Sequence, residues 1–139
     1  MGKLKDMHKK LLALNMEQLC LEATFAVEEQ ATNMNTDQLW QGEKSDGNNL
    51  PDYSPMSVNV FGKPAGPIRL FDQGDFYRGF VFATVDFPIS FTSIDEKTSE
   101  LEERYGSEIF GLNLENQKDL AQNYILPELK KAFLKAVEV

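Results

Sequence analysis

Apolar residues in the first thirty positions recur with the spacing of an α-helix. Spacings of three and four residues place them on one helical face. The stripe consists of Leu4, Met7, Leu11, Leu14, Leu21 and Phe25. Asn15, followed three positions later by Gln18, is a weak capping pair. Residues 3–32 are therefore predicted to be helical, either as one helix or as two in line with a break near Asn15.

Two further helices are predicted in the last third of the chain. Ser93 and Glu96 have the spacing of a capping box, and the helix that follows is expected to end at Gly106. A longer stripe then consists of Leu120, Tyr124, Ile125, Leu129, Phe133 and Val137. Asn113 fits the N-cap position before it. Pro127 has no backbone N–H, so it predicts either a kink or the start of a second helical half.

The middle of the chain has short apolar runs instead of a helical stripe. These runs cover residues 68–71, 81–85 and 88–92. In the last run Ile89 and Phe91 alternate with polar residues, a pattern typical of a strand with one buried face. We expect an antiparallel meander of three or four strands here. The predicted fold class is α+β: an N-terminal helix, a small antiparallel sheet of three or four strands, and a C-terminal helix.

A tight polar turn separates the run at 68–71 from an aromatic run at 76–82. Gly74 supplies the positive φ that a sharp turn needs, and Asp72 can bond the backbone two residues further on. Asp75 completes the turn on its other side. Asp72, Gly74 and Asp75 are therefore predicted to be structural residues that hold the shape of the turn.

A long loop, residues 42–67, connects the N-terminal helix to the predicted sheet, and residues 36–41 before it have room for a short strand. The density of proline and glycine in residues 53–67 predicts no regular helix there. The apolar residues of this loop are Met56, Val58, Val60 and Phe61. They indicate either a contact surface or a loop folded back on the core. At 139 residues the chain is expected to be a single domain, 1–139.

The formal net charge of the chain is −8 at pH 7. Such a charge argues against a domain that grips nucleic acid, because phosphate binding needs cations. Six acids stand against Lys97 and Arg104 in residues 93–108. The lysines concentrate near the two ends of the chain, at Lys3, Lys5, Lys9, Lys10, Lys130, Lys131 and Lys135. Charge runs of this kind are typical of solvated helix faces.

Residues suited to catalysis or metal binding are few. Cys20 and His8 are the only cysteine and histidine, which argues against a Cys/His zinc site and against an internal disulfide. The sequence has no Gly-x-Ser-x-Gly elbow, phosphate-binding glycine loop or His-Glu-x-x-His motif. Asp72, Asp75, Asp95 and Glu96 remain as acids that could bind a divalent cation. We expect no catalytic residue, no metal and no cofactor.

Signals for a membrane are also missing from the sequence. No apolar run approaches the roughly 18 residues that a transmembrane helix needs. The apolar segment 11–14 is too short for a signal-peptide core, and Asp6 stands where a myristoylation signal has Ser or Thr. The sequence therefore predicts a cytosolic origin and no contact with a membrane.

Short motifs between positions 38 and 127 stand in an order that resembles the neck and tail-completion (minor tail) proteins of tailed bacteriophages. They are Gln38-Leu-Trp-Gln-Gly42, Ser45-Asp-Gly47, Tyr53-Ser-Pro55 and Leu70-Phe-Asp-Gln-Gly-Asp-Phe-Tyr77. The Asp-Phe-Tyr after the turn, with Tyr105-Gly106 leading to Ile109-Phe-Gly-Leu112, is similar to forms from phages of Bacteroides-type gut bacteria. Gln73 stands where this family has the Thr of Asp-Thr-Gly, so a hydroxyl that can cap the turn is missing.

The resemblance implies the α+β fold and a structural, non-enzymatic role as a head–tail connector. Subunits of the family form a ring of six or twelve copies at the neck of the virion, in contact with portal, neck or tail proteins. Assembly takes place in the cytoplasm of the host bacterium, and DNA passes through the bore without specific binding. An acidic lining, for which residues 93–108 are the candidate, lets the duplex slide.

Each contact in such a ring joins two different surfaces of the subunit. The candidate interface residues are Met56, Val58, Val60, Phe61, Ile109, Phe110 and Leu112. Two alternatives stay open. One is a non-catalytic phage-encoded binding or regulatory module that uses the same apolar loop. The other is a metal-dependent hydrolase that uses Asp72, Asp75 and Asp95.

Overall fold

The computed structural model describes residues 2–12, 15–84 and 86–138. The α-helices are α1 (Gly2–Leu12), α2 (Met16–Ala26), α3 (Glu28–Trp40), α4 (Pro55–Asn59), α5 (Asp75–Arg78), α6 (Thr98–Tyr105), α7 (Leu114–Asp119) and α8 (Leu126–Val137). A 3₁₀ turn at Ser107–Ile109 follows α6, and a π-helical segment at Leu120–Ile125 joins α7 to α8. The strands are β1 (Phe80–Phe82) and β2 (Phe91–Ser93). Leu14 of the predicted N-terminal stripe and Val85 of the predicted run at 81–85 lie outside the described residues. Within those ranges, no helix is both long enough and apolar enough to cross a membrane.

The predicted α+β fold with a sheet of three or four strands is wrong. The described part of the chain is 59% helical, and its sheet is the single antiparallel pair β1–β2. In this pair Phe80 lies opposite Ser93 and Phe82 lies opposite Phe91. The run at 68–71 forms no strand because Leu70 has a φ of 55°, in the left-handed region that an extended chain does not use. The fold is therefore a helical one with a small β-hairpin.

The connection between β1 and β2 takes up most of the two predicted strands. The Thr84 hydroxyl lies 3.2 Å from the carbonyl oxygens of both Asp86 and Pro88. It also accepts the backbone N–H of Ser90 at 3.3 Å. These contacts turn the chain back within a few residues, so each strand is only three residues long.

The N-terminal region forms three helices rather than one or two. The predicted break near Asn15 is confirmed, because its side chain accepts the N–H of Gln18 at 3.1 Å and caps α2. The short strand predicted at 36–41 is wrong, because α3 continues to Trp40. The hydroxyls of Thr32 and Thr36 bond to backbone carbonyls in the preceding turn of the helix. These β-branched residues are accommodated in α3 in this way.

The C-terminal helical region starts where the sequence predicts. Asn113 caps α7 by accepting the N–H of Asn116 at 2.8 Å. Pro127 lies in the first turn of α8, which confirms that it opens a second helical half. Just before it, the N–H of Leu126 bonds to the carbonyl of Ala121, five residues back. This wider π-type turn avoids the clash that a proline ring makes with a regular α-helical turn.

Helix α6 starts later than the capping box predicts. Ser93 belongs to β2, and its hydroxyl donates to the carbonyl of Phe76 at 2.7 Å instead of capping a helix. The helix begins at Thr98, whose hydroxyl bonds to the carbonyl of Asp95 at 2.7 Å. The predicted end is confirmed, because Gly106 follows the last residue of α6 with a φ of 92°.

Two apolar clusters form the interior. The first consists of Leu39, Leu50, Leu70, Phe76, Phe80 and Ile109, and the second of Val27, Ala31, Leu112 and Leu120. Helix α3 contributes to both clusters, through Ala31 near its start and Leu39 near its end. The segment 109–112 does the same, through Ile109 and Leu112. Helix α3 and this segment therefore lie alongside each other in the interior and position the surface loops on either side.

Candidate functional site

The predicted contact loop contains the short helix α4, which corrects the expectation that residues 53–67 hold no regular helix. Ser54 caps α4, since its Oγ accepts the N–H of Ser57 at 3.1 Å. Pro55 lies in the first turn, where a helix has no use for the N–H that proline lacks. Proline and glycine thus limit α4 to five residues without preventing it.

Three of the four apolar residues of this loop are exposed on or just after α4. Met56 is 64% exposed, and Val60 and Phe61 are each 69% exposed. Met56 and Val60 are one helical turn apart and so lie on the same face. Val58, by contrast, is half-buried. We call Met56, Val60 and Phe61 the α4 patch, and their exposure favours a contact surface over a loop folded back on the core.

The second predicted interface segment lies in the interior, which corrects that prediction. Ile109 and Leu112 are buried in the first and second apolar clusters, respectively. Phe110 is partly buried, and its ring centre lies 5.9 Å from that of Phe76 and 5.4 Å from that of Phe80. The apolar character of Ile109, Phe110 and Leu112 is accounted for by core packing within the chain.

Two side chains of α3 hold this segment in place. Asn35 is fully buried; its Nδ2 donates to the carbonyl of Ile109 at 3.0 Å, and its Oδ1 accepts the N–H of Gly111 at 2.8 Å. Gln38, one turn further along α3, donates to the carbonyl of Gly111 at 3.1 Å and accepts the N–H of Asn113 at 2.8 Å. The two amides therefore satisfy backbone groups of an irregular segment that has no neighbouring strand to bond to among the described residues. Sequence reasoning missed both residues; the available signal was two amides at i and i+3 beside the apolar Leu39.

The turn at 72–75 is held partly as predicted. Gly74 has a φ of 86°, which confirms its role. Asp72 forms ion pairs with two lysines instead of the predicted hydrogen bond to the backbone. Its carboxylate lies 3.8 Å from the Nζ of Lys63 and 3.9 Å from the Nζ of Lys97. Asp75 pairs with Arg78 across the first turn of α5. All three acid–base pairs are exposed, so each is worth little energy, but together they connect the loop after α4, the turn and the start of α6.

The acids of the hydrolase alternative are used in other contacts. Asp72 lies between two lysines, and Asp75 contacts Arg78. Asp95 accepts the backbone N–H of Lys97 at 3.1 Å. No group of three His, Cys, Asp or Glu side chains suited to a metal ion is found in the part of the chain that the structure describes. The metal-dependent alternative thus gains no support from these residues.

Residues from three of the four motifs meet with Arg69 in one place, which we call the aromatic corner: Trp40, Tyr53, Arg69, Phe71 and Tyr77. The Phe71 ring lies 5.2 Å from the Trp40 ring and 5.3 Å from the Tyr77 ring, edge to face in both cases. The Arg69 guanidinium lies 4.4 Å from the centre of the Trp40 ring, within cation–π distance. The backbone of Arg69 donates to the Tyr53 hydroxyl at 3.2 Å and accepts from the Tyr77 hydroxyl.

The remaining motif is tied to the same scaffold. The N–H of Ser45 bonds to the carbonyl of Glu108 at 2.8 Å, next to the segment held by α3. At Gly42, a Cβ atom would lie only 2.3 Å from the Cβ of Pro67, so only glycine fits there. Motifs that are separated along the sequence are thus parts of one packed unit.

Burial raises the pKa of the Tyr77 hydroxyl above its ordinary value. The neutral phenol is the form that donates a hydrogen bond, and its acceptor is the carbonyl of Arg69. Tyr77 therefore acts in the corner as a neutral donor, since loss of its proton would leave an anion opposite a carbonyl oxygen.

An open cleft of about 850 Å³ lies beside β2 and the π-helical segment. Its lining includes Phe91, Phe110 and Leu112, with Asp46 and Glu102 among its polar residues. Asp46 accepts the backbone N–H of Asn48 at 3.0 Å in a local turn, and this hydrogen bond lowers the pKa of its carboxyl group. Neither His8 nor Cys20 lines this cleft.

Comparison of the chain with protein-family models, with curated proteins and with solved structures finds no match. No family is assigned on that basis. The likeness of the motifs to phage neck proteins therefore remains a resemblance.

Proposed function

We propose that this chain is a structural subunit of a bacteriophage virion, which forms an oligomeric ring at the head–tail junction, as a connector or tail-completion protein. DNA passes through the bore of this ring, and the chain has no catalytic role. The observation that carries the proposal is the α4 patch, because three large neighbouring apolar side chains are exposed together. Exposed apolar residues grouped in this way are typical of protein contact sites.

The resemblance of the motifs to phage neck proteins indicates that the α4 patch makes a contact between subunits. The residues of these motifs are distributed from the end of α3 to α5, yet Trp40, Tyr53, Phe71 and Tyr77 pack together in the aromatic corner. Lys63, directly after the α4 patch in the chain, contacts Asp72 in the turn of the same motif region. A braced corner beside an exposed patch suits a subunit that presents a fixed surface to its neighbours.

The size of the α4 patch limits how tightly it can bind alone. Burying one large apolar side chain is worth about 1.5–3 kcal/mol. A stable interface usually buries more than about 1,000 Å² in total. Three side chains fall short of that, so assembly needs further surface or a partner. We expect the purified chain to be monomeric when dilute, and to form rings at high concentration or on portal, neck or tail proteins.

The charge of the chain fits a passage for DNA. A net charge of −8 repels phosphates, so a bore formed by such subunits does not retain the duplex. A protein that binds DNA tightly or recognises its sequence would need a positively charged surface.

Native mass spectrometry combined with electron microscopy tests this proposal. The purified chain is examined over a range of concentrations, alone and with the portal and tail components encoded beside its gene. Rings of six or twelve copies, or complexes with those components, are the expected result. A strict monomer that binds none of them would contradict the proposal.

A second candidate uses the same α4 patch in a non-catalytic binding or regulatory module. The exposure of Met56, Val60 and Phe61 serves either function. Neighbouring genes for portal, capsid and tail proteins favour the ring subunit, and their absence favours the module.

A further inference from the structure

Helix α6 presents a row of acids to the outside. Leu101 and Tyr105, one turn apart, pack against the first apolar cluster. With 100° between successive residues, Glu103 lies on the opposite side of the helix, and Glu100 and Glu102 lie on either side of it. All three glutamates are exposed. Arg104 contacts Glu100 at 3.6 Å and offsets only part of this charge.

Helix α1 has the opposite character. Its apolar stripe is Leu4, Met7 and Leu11, and the helix packs on α8. Lys5 and Lys9 are one turn apart on the side away from that stripe, and both are exposed. Leu4 and Leu11 are exposed as well, and none of the side chains described in α1 is fully buried. This helix therefore has both charge and apolar surface available for a partner.

The two charged helices do not neutralise each other within one chain. Among the described residues, no salt bridge uses a lysine of α1, and none uses Glu102 or Glu103. Helix α8, on which α1 packs, has the exposed lysines Lys130 and Lys135. Helix α6 packs instead on the turn at Ser107–Ile109. One subunit thus has a basic surface and a separate acidic surface.

We infer that α1 of one subunit docks on α6 of the next, and that this contact sets the head-to-tail direction of the ring. The inference rests on the proposed function, because it names the contact between its subunits. The occupant is a second copy of the chain, since the basic surface of one copy complements the acidic surface of another. A contact between two different surfaces is the kind that closes a ring.

The contact acts through charge. Exposed ion pairs contribute little energy each, but they set orientation and reject wrong partners. Leu4 and Leu11 lie on the other side of α1, so their exposed apolar surface is not part of this contact. The assignment also removes α6 from the bore, for whose lining residues 93–108 were the candidate.

Paired charge reversals test the inference. One variant combines Lys5→Glu with Lys9→Glu, and the other combines Glu100→Lys with Glu103→Lys. Each variant alone should assemble about tenfold or more weakly than wild type, because attraction becomes repulsion at every contact. An equimolar mixture should recover rings in which the two variants alternate, with equal numbers of each by native mass spectrometry. A chain with all four changes should assemble alone.

The second variant also serves as a control for overall charge. It is less negative than wild type, so general repulsion between copies is weaker in it, and yet the inference predicts weaker assembly. Thermal unfolding of both variants checks the fold, since the four replaced side chains are exposed. Salt provides an independent readout: raising it to about 0.5 M should weaken wild-type assembly by screening the contact.

Three results would overturn the inference. The first is that either variant assembles as well as wild type; if the rings of the second variant also retain DNA, α6 faces the bore. The second is that wild-type assembly strengthens with salt, as expected if the α4 patch alone drives it. The third is a wild-type chain that stays monomeric at every concentration. In that case the proposed function is judged separately, by binding of the chain to portal and tail components.

Discussion

The Oδ1 atom of Asn35 accepts a 2.8 Å hydrogen bond from the backbone N–H of Gly111, which lies 76 positions further along the chain. The Nδ2 atom of the same side chain donates to the carbonyl of Ile109 at 3.0 Å. One fully buried amide thus connects α3 to the segment that contributes to both apolar clusters. This connection keeps Ile109 and Leu112 inside, and leaves the α4 patch as the exposed apolar surface of the predicted interface.

Replacing Asn35 with Ala should destabilise the fold strongly. The change leaves two buried backbone groups without partners, at about 1–3 kcal/mol each, so the free energy of unfolding should fall by about 2–6 kcal/mol. Urea unfolding followed by circular dichroism measures it. Asn33→Ala is the matched control, since Asn33 is exposed on the same helix. Equal losses in the two variants would contradict the role assigned to Asn35.

Two glycines of the loop after α3 form a natural pair for separating backbone strain from crowding. Gly42 and Gly47 have nearly the same φ, 80° and 84°. A Cβ atom at Gly47 would meet no atom within 4 Å, so Gly47→Ala should lower the free energy of unfolding only through the strain of its positive φ, by about 1–2 kcal/mol. Gly42→Ala should cost clearly more, because its Cβ would lie 2.3 Å from the Cβ of Pro67. Calorimetric melting of both variants measures the difference, and equal melting temperatures would show that Pro67 moves aside freely.

Removing the aromatic ring from the α4 patch should weaken assembly without weakening the fold. Phe61 is 69% exposed, so Phe61→Ser removes little packing within the chain but an apolar contact between chains. Analytical ultracentrifugation over a concentration series measures the association. Ile94→Ser is the control, because Ile94 is 79% exposed but lies outside the patch. If both variants associate like wild type, the patch is not a contact surface.

Alkaline pH should destabilise the aromatic corner through Tyr77. Burial raises the pKa of Tyr77 in the folded chain, so the unfolded chain releases this proton at a lower pH than the folded one. The stabilisation is therefore complete below the ordinary tyrosine value of about 10 and is lost as pH rises above it.

The variant Tyr77→Phe isolates this contribution. Below pH 10 it should be less stable than wild type, since it lacks the hydrogen bond to the carbonyl of Arg69. The difference in free energy of unfolding should then narrow as the pH rises from about 9 to 11. Tyr124→Phe, at an exposed tyrosine, is the matched control. A difference in free energy of unfolding that stays constant through this range would show that Tyr77 does not cause the loss of stability at alkaline pH.

Features that depend on a few adjacent residues could be predicted from the sequence. Asn15 and Asn113 cap helices as predicted, Gly106 ends α6, and Pro127 opens α8. Each depends on one backbone donor, one φ angle or one missing N–H. These effects act within a single turn, so distant parts of the chain do not change them.

Features that depend on distant contacts could not be predicted in this way. The apolar residues of the segment 109–112 are the same whether the segment lies inside or outside. It is held inside by Asn35 and Gln38, which are more than 70 positions away along the chain. Likewise Leu70 looks like a strand residue but has a left-handed φ in the first apolar cluster. The exposure of Met56, Val60 and Phe61 could be stated from the sequence only as one of two possibilities.

The ring at the head–tail junction can be tested by a single-particle reconstruction of the virion neck. The virion used is the one whose genome encodes this chain. We expect a ring of this chain between portal and tail, with Met56, Val60 and Phe61 in contact with a neighbouring subunit or protein. A neck that lacks the chain, or one in which these three side chains face solvent, would contradict it.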